Sequence, residues 1–194
     1  MRFFIALEIP ENSQLQIKVI QNQLLEIFPN VRLIDHNKLH LTIAFLDDLP
    51  ENLTPQLTEV IHNAVAEIEP FEVTPAYIDG FPSLHHAHIL WMGFKGDLDK
   101  LFLVRERIKD SLYTMDIHID DRRYTPHVAI AKAKSFQMTP DQEEHLQRIA
   151  QIPIDPIKVT SIKLFESIPN HGLHKHNTLS EVKLETSSSQ NNSL

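Results

Sequence analysis

The chain is read as an α+β fold of two similar halves facing each other across a cleft, and three observations predict it. Strand-like and helix-like hydrophobic periods alternate from the first residues to the last apolar segment. The order of the first half is strand, helix, two strands, helix, strand, and the second half echoes it. Each half also carries one strand that bears a histidine, at His40 and at His127.

Residues 2–9, RFFIALEI, are an almost unbroken aromatic and aliphatic run that Pro10 stops, which predicts a buried strand. From Glu11 to Phe28, Leu15, Val19 or Ile20, Leu24 and Ile27 recur at helical spacing, and Pro29-Asn30 ends the pattern. Residues 31–34 predict a short strand, 35–38 a turn, and 39–46 a strand rich in Leu, Thr, Ile and Phe. A second amphipathic helix is predicted over 53–68 and a strand over 71–78. Gly80 to Ser83 is read as a turn, 87–94 as a strand, 98–112 as a helix and 126–132 as the second histidine strand. A helix over 140–149 and strands over 157–166 and 178–184 complete one bilobal domain spanning residues 1–185. The polar remainder, 186–194, lacks an apolar anchor and is expected to be a disordered tail.

With 194 residues, 42% hydrophobic and 23% charged, the chain is long enough to bury a sizeable core. Cysteine is absent, which excludes disulfides, thiolate metal sites and a cysteine nucleophile. No apolar run approaches the ~18 residues needed to cross a bilayer, and the N-terminus lacks the features of a secretion signal, so a soluble cytoplasmic monomer is expected. A formal net charge of −8 argues against a protein that coats long nucleic acid. It does not argue against an enzyme that holds a single phosphate in a cleft, where a few focused positive groups suffice.

His40-Leu41-Thr42-Ile43 lies within a predicted strand, so alternation places His40 and Thr42 on one face and Leu41 and Ile43 on the other. An imidazole that titrates near neutrality and a compact hydroxyl donor then face the same space, a combination suited to holding a phosphate oxygen while moving a proton. Alone, such a triplet is also what an ordinary half-exposed strand offers. The second instance, His127-Val128-Ala129-Ile130 after the turn Tyr124-Thr125-Pro126, occupies the equivalent place in the second half. Two such strands would converge from opposite sides of a cleft.

These segments resemble the two-histidine phosphoesterase superfamily, and in particular its RNA 2′,3′-cyclic phosphodiesterase, or 2′-5′ RNA ligase-like, branch. The resemblance is carried by RFFIALEIP, NKLHLTIAFLDDL, FPS with HILWMGF, YTPHVAIAK and IKLFES, which recur in the family's order over residues 1 to about 185. It implies two βαβ-type lobes with mainly antiparallel sheets around a groove. It also implies opening of a 2′,3′-cyclic phosphate at an RNA end to a 2′-phosphate, with His40 as proton donor, His127 as proton acceptor, Thr42 on the phosphate, and no cofactor or metal. The partners implied are RNA ends or short oligonucleotides bearing the cyclic phosphate.

The chain departs from the family pattern at Ala129, where Thr or Ser is expected, and at Lys132, where Arg is frequent. Losing one preorganised donor costs about 10²–10³ in rate. Strict alternation from His127 would put Lys132 on the opposite face unless the strand bulges or ends. Thr125 is a candidate to replace the lost donor. Tyr124 and Phe45 are candidates to stack a terminal base, although core packing is the plainer reading of Phe45. His85, His86 and His88, and His171, His174 and His176, form two histidine clusters without the helical spacing of zinc hydrolases, so neither is read as a metal centre. Asp47-Asp48 is read as a solvated turn. The competing function is a weakly active or inactive module of the same fold that binds nucleotides or RNA ends.

Overall fold

The computed structural model describes residues 2–120, 122–170 and 173–186. Apart from Thr186, the expected tail lies outside the described residues. In chain order the elements are β1 (Arg2–Glu8), α1 (Glu11–Ile27), β2 (Arg32–Leu33), β3 (His40–Asp48), α2 (Thr54–Val65), β4 (Phe71–Phe81) and β5 (Ala87–Gly96). There follow α3 (Leu98–Tyr113), β6 (His127–Phe136), α4 (Pro140–Ala150), β7 (Ile157–Val159), β8 (Ser161–Asn170) and β9 (Leu173–Lys183). Proline at or next to the first residue of α2 and α4 suits a position whose N–H needs no helical partner. In α4 the Thr139 hydroxyl accepts from the Gln142 N–H, and the Gln142 side chain accepts from the Thr139 N–H.

The strands form two sheets, β3-β1-β8-β9 and β2-β6-β5-β4-β7, here the first and second sheet. Every pairing among the described strands is antiparallel. The predicted pair of lobes is present, but the lobes interleave along the sequence. β4 follows the first histidine strand and joins the second sheet, whereas β8 and β9 end the chain and join the first. The strand expected over 157–166 breaks at Thr160, so that β7 borders β4 in one sheet and β8 borders β1 in the other.

The helices cross over in the same way. α1 leaves β1 of the first sheet yet packs on α4 and against β6 of the second. α3 leaves β5 of the second sheet, packs on α2, and reaches β3 of the first with Arg105. One apolar core runs through both lobes and takes in Leu41, Ile43, Val128 and Ile130 from the histidine strands. Their alternating neighbours are thereby left on the opposite, cleft-facing sides of the two sheets. Among the described residues no helix is long and apolar enough to cross a membrane.

Candidate active site

His40 is the first residue of β3, following a 3-10 turn over His36–Lys38 that is held at its start by the Asn37 N–H donating to the Asp35 carboxylate. Its Nδ1 lies 2.8 Å from the Lys38 carbonyl oxygen. His127 is the first residue of β6, and its Nδ1 lies 2.7 Å from the Thr125 carbonyl oxygen. A carbonyl only accepts, so in each ring Nδ1 carries the proton and Nε2 is left as the basic nitrogen. The two rings are thus oriented by the same device, a bond to the main chain two residues upstream. β3 and β6 pack against each other, which sets the histidine strands side by side across the cleft.

Beyond each histidine the strand bulges at the same place. Ile5 pairs with Ala44 and Ala6 with Thr42, so Ile43 is extra on β3; Leu90 pairs with Ala131 and Trp91 with Ala129, so Ile130 is extra on β6. Ile43 and Ala44 are both buried in the core, as are Ile130 and Ala131. Parity therefore flips after the bulge. His40, Thr42 and Phe45 share the cleft face of the first sheet, and His127, Ala129 and Lys132 share that of the second. Strict alternation from His127 would have turned Lys132 away, and the bulge reverses that. Phe45 is 61% exposed and belongs to the cleft rim rather than the core.

The two walls differ in what stands behind these residues. In the first sheet the small Ala6 lies opposite Thr42, and Phe4, Ala6 and Phe165 form an apolar patch separate from the main core. The Phe4 ring is 5.0 Å from His40 and 4.9 Å from His176, and His176 is 5.1 Å from His40. In the second sheet the large side chain is on the partner strand, because Trp91 lies opposite Ala129. Its indole stacks on Phe81 at 4.9 Å and tilts against His127 at 5.5 Å. Gly93 is opposite His127, and a Cβ there would stand 2.1 Å from the Tyr77 ring.

Trp91 Nε1 is buried without a hydrogen-bond partner among the described residues. An orphaned donor costs about 1–3 kcal/mol. An aromatic side chain buries about 150–250 Å², which at roughly 25 cal/mol per Å² contributes about 4–6 kcal/mol. Packing therefore outweighs the unmet bond, and Ala129 is the residue small enough to admit the indole.

Burial holds the pKa of His40 below its ordinary value, with His127 and Lys132 adding to the effect against the bond to Lys38. Burial lowers His127 as well, against its bond to Thr125. His176 is pushed down to about 4, mainly by burial and then by His40, His174 and Lys38. The cleft thus favours neutral imidazoles until an anion enters it.

A cavity of about 720 Å³ takes in Thr42, Phe45, Phe81, Tyr124, Thr125 and His127, a size suited to a nucleotide. Tyr124 is less available than a base-stacking role asks. Its hydroxyl donates to the Thr42 carbonyl at 2.9 Å, and the Arg105 guanidinium covers its ring at 4.5 Å. Burial also raises its phenol above the ordinary value. Thr125 gives its main-chain carbonyl to His127 and is among the residues that line the cavity. Of the histidine clusters, His88 bonds to the Lys134 carbonyl and His85 lies 3.7 Å from Glu143, while His171 lies outside the described residues. Among the described residues no three His, Asp or Glu side chains converge on a cation position. Asp47 and Asp48 are exposed at the end of β3, with Asp47 in the left-handed region at φ 56°.

The sequence reading missed Phe4, Phe81, Trp91, Arg105, Gln21 and His176. One signal was available for the bulges, since His-Leu-Thr-Ile-Ala-Phe and His-Val-Ala-Ile-Ala-Lys both break alternation at the same Ile-Ala pair.

Two antiparallel sheets that present paired histidine strands to one cleft define the two-histidine phosphoesterase class. The sequence model of the 2′-5′ RNA ligase superfamily matches residues 9–167, and the chain belongs to that family. The RNA 2′,3′-cyclic phosphodiesterase of Methanocaldococcus jannaschii is 26% identical over 168 residues, covering 86% of this chain and 91% of its own. That of Thermotoga maritima is 23% identical over 167 residues, covering 86% and 87%. The fold is similar to that of Escherichia coli LigT complexed with 3′-AMP, with a TM-score of 0.76 at 19% identity over 95% of this chain and 98% of that one.

Proposed function

We propose that the protein hydrolyses RNA 2′,3′-cyclic phosphate ends to 2′-phosphates, with His40 as the acid and His127 as the base. The observation that carries this reading is the matched tethering of both Nδ1 atoms to carbonyls at 2.8 and 2.7 Å, which commits Nε2 of each ring to the chemistry. The phosphodiesterases of Methanocaldococcus jannaschii and Thermotoga maritima support the substrate class.

In the reaction, water attacks phosphorus as His127 Nε2 takes its proton. The bond from phosphorus to the 3′-oxygen breaks, and His40 Nε2–H supplies the proton to that oxygen. The acid must be charged when the ester is bound. A phosphate anion within about 4–6 Å raises the pKa of a histidine and opposes the effect of burial on His40. The Thr42 hydroxyl donates to a phosphate oxygen, and Lys132 adds positive charge from the opposite wall. No step calls for a cofactor.

The test is an RNA oligonucleotide with a 2′,3′-cyclic end incubated in EDTA with wild type, His40→Ala and His127→Ala, followed by identification of the product end. A 2′-phosphate from wild type, with each variant slower by about 10²–10⁴, is the expected result. Binding of the RNA end without turnover by folded wild type would replace this reading with that of a binding module weakened at Ala129. Turnover abolished by EDTA would sink the metal-free mechanism.

A further inference from the structure

Two buried polar side chains reach the bulges from helices: Gln21 from outside the cleft, and Arg105 from its inner end, where it also borders the cavity beneath Tyr124. Gln21 on α1 is 2% exposed, and its Nε2 donates to the carbonyls of Ile130 at 2.8 Å and Ile34 at 2.7 Å. Arg105 on α3 is 8% exposed; its Nη1 donates to the Ile43 carbonyl and its Nη2 to the Asp120 carbonyl at 2.8 Å. Ile43 and Ile130 are the extra residues of the two bulges. Each clamp comes from the helix that departs from the opposite sheet, so the helix crossover delivers one polar group to each histidine strand.

We propose that Gln21 and Arg105 are positioning residues that fix the two bulges, and so hold Lys132 and Phe45 on the cleft face with the histidines. The proposal rests on the hydrolytic reading of the cleft. An extra residue leaves carbonyls out of register with the neighbouring strand. The Ile130 carbonyl is met by the Ile34 N–H at 3.0 Å and by Gln21, and the Ile43 carbonyl by Arg105. An apolar side chain at position 21 or 105 would fill the space but remove the donor that rewards the bulged conformation. A strand that regains alternation turns Lys132 or Phe45 out of the cleft.

The experiment is a double-mutant cycle of Gln21→Met and Lys132→Met, read by kcat/KM on the cyclic-phosphate RNA and by NMR titration of His40. The groups that face His40 are Glu8 on β1, which is ion-paired with Lys163, His176 on β9, and Lys132 and His127 on β6, with the Lys38 carbonyl at its Nδ1. Gln21→Met is expected to lower kcat/KM on the order of 10-fold or more, to match Lys132→Met, and to add nothing to it in the double variant. In Lys132→Met the His40 midpoint is expected to rise by the small share that this charge adds to burial and His127, and Gln21→Met is expected to raise it by the same amount. Multiplying losses in the cycle, or an unmoved His40 midpoint in folded Gln21→Met, overturns the proposal.

If Gln21→Met does not fold, Gln21→His, which keeps one ring N–H for one carbonyl, is read in the same way. On the other wall, Arg105→Met is expected to raise KM together with, and not in addition to, Phe45→Ala, and Arg105→Lys is expected to restore part of the loss. Additive effects there overturn the clamp on β3. Should wild type show no turnover at all, the hydrolytic reading fails, and the His40 titration still decides whether Gln21 holds Lys132 in place.

Discussion

The two walls of the cleft share one backbone plan and carry different side chains on it. Each has a histidine at the start of a strand, a Nδ1 bond two residues back, and a bulge after the same number of residues. On the first wall the histidine strand bears the hydroxyl, Thr42, and its neighbour is Ala6. On the second the bulk sits on the neighbour, Trp91, and the histidine strand bears Ala129. The symmetric part orients two imidazoles alike, and the asymmetric part distinguishes their surroundings. His40 has a second imidazole, His176, and the Phe4 ring beside it, whereas His127 has an indole and the Phe81 ring. Equivalent geometry with unequal neighbours suits the proposed reaction, in which one group gives a proton and the other takes one.

The strongest way to break that comparison is to remove the need for one partner. With a cyclic phosphodiester whose leaving group is a low-pKa phenol, departure requires little acid. His40→Ala is expected to lose far less on such a substrate than the roughly 10²–10⁴ it loses on RNA. His127→Ala, which removes the proposed base, is expected to lose a similar factor on both. Rates measured on the two substrates decide it, and equal losses for His40→Ala would mean that His40 is not the acid.

A smaller effect is expected from the hydroxyls. Thr42→Val keeps the shape and removes the donor, and should lower kcat by about 10²–10³. The reverse change on the other wall, Ala129→Thr, should bring no gain. Its side chain would meet Trp91 directly across the ladder, and overpacking of that kind costs about 1–3 kcal/mol, visible as a lower Tm. A tenfold gain in kcat with an unchanged Tm would show that the second wall has open space and merely lacks a hydroxyl.

The placement of the two histidine strands was legible because it rests on local signals. Alternation alone put His40 with Thr42 and identified both histidine strands, and the helical periods located α1 to α4. What the sequence did not disclose depends on register and topology. The faces of Phe45 and Lys132 turn on bulges that become visible only when Ile43 is found without a partner on β1 and Ile130 without one on β5. Arg105 and Gln21 read as ordinary polar positions of amphipathic helices until the helices are seen to cross to the opposite sheet. His176 comes beside His40 because β9 returns to the first sheet, a long-range pairing that no local period encodes. Trp91 explains Ala129 only across a ladder.

The mildest contrast between the walls is in protons taken up on unfolding. The His176 pKa is held near 4, chiefly by burial, while an unfolded histidine titrates near 6.5. Between those values the unfolded chain binds the proton and the folded one does not. The contribution is therefore intact above pH ~6.5 and is lost as pH falls toward the folded value. His40 and His127, also lowered, act in the same direction. His176→Phe should consequently make the fall of Tm from pH 7 to pH 4 shallower than in wild type. The matching change on the other wall, Trp91→Phe, exchanges one untitratable ring for another and should leave that slope as it was. Thermal melts of the three proteins across this range test the difference. Parallel curves for His176→Phe and wild type would mean that His176 is protonated in the folded protein as readily as in the unfolded chain, and the first wall would then carry no extra proton linkage beyond that of His40.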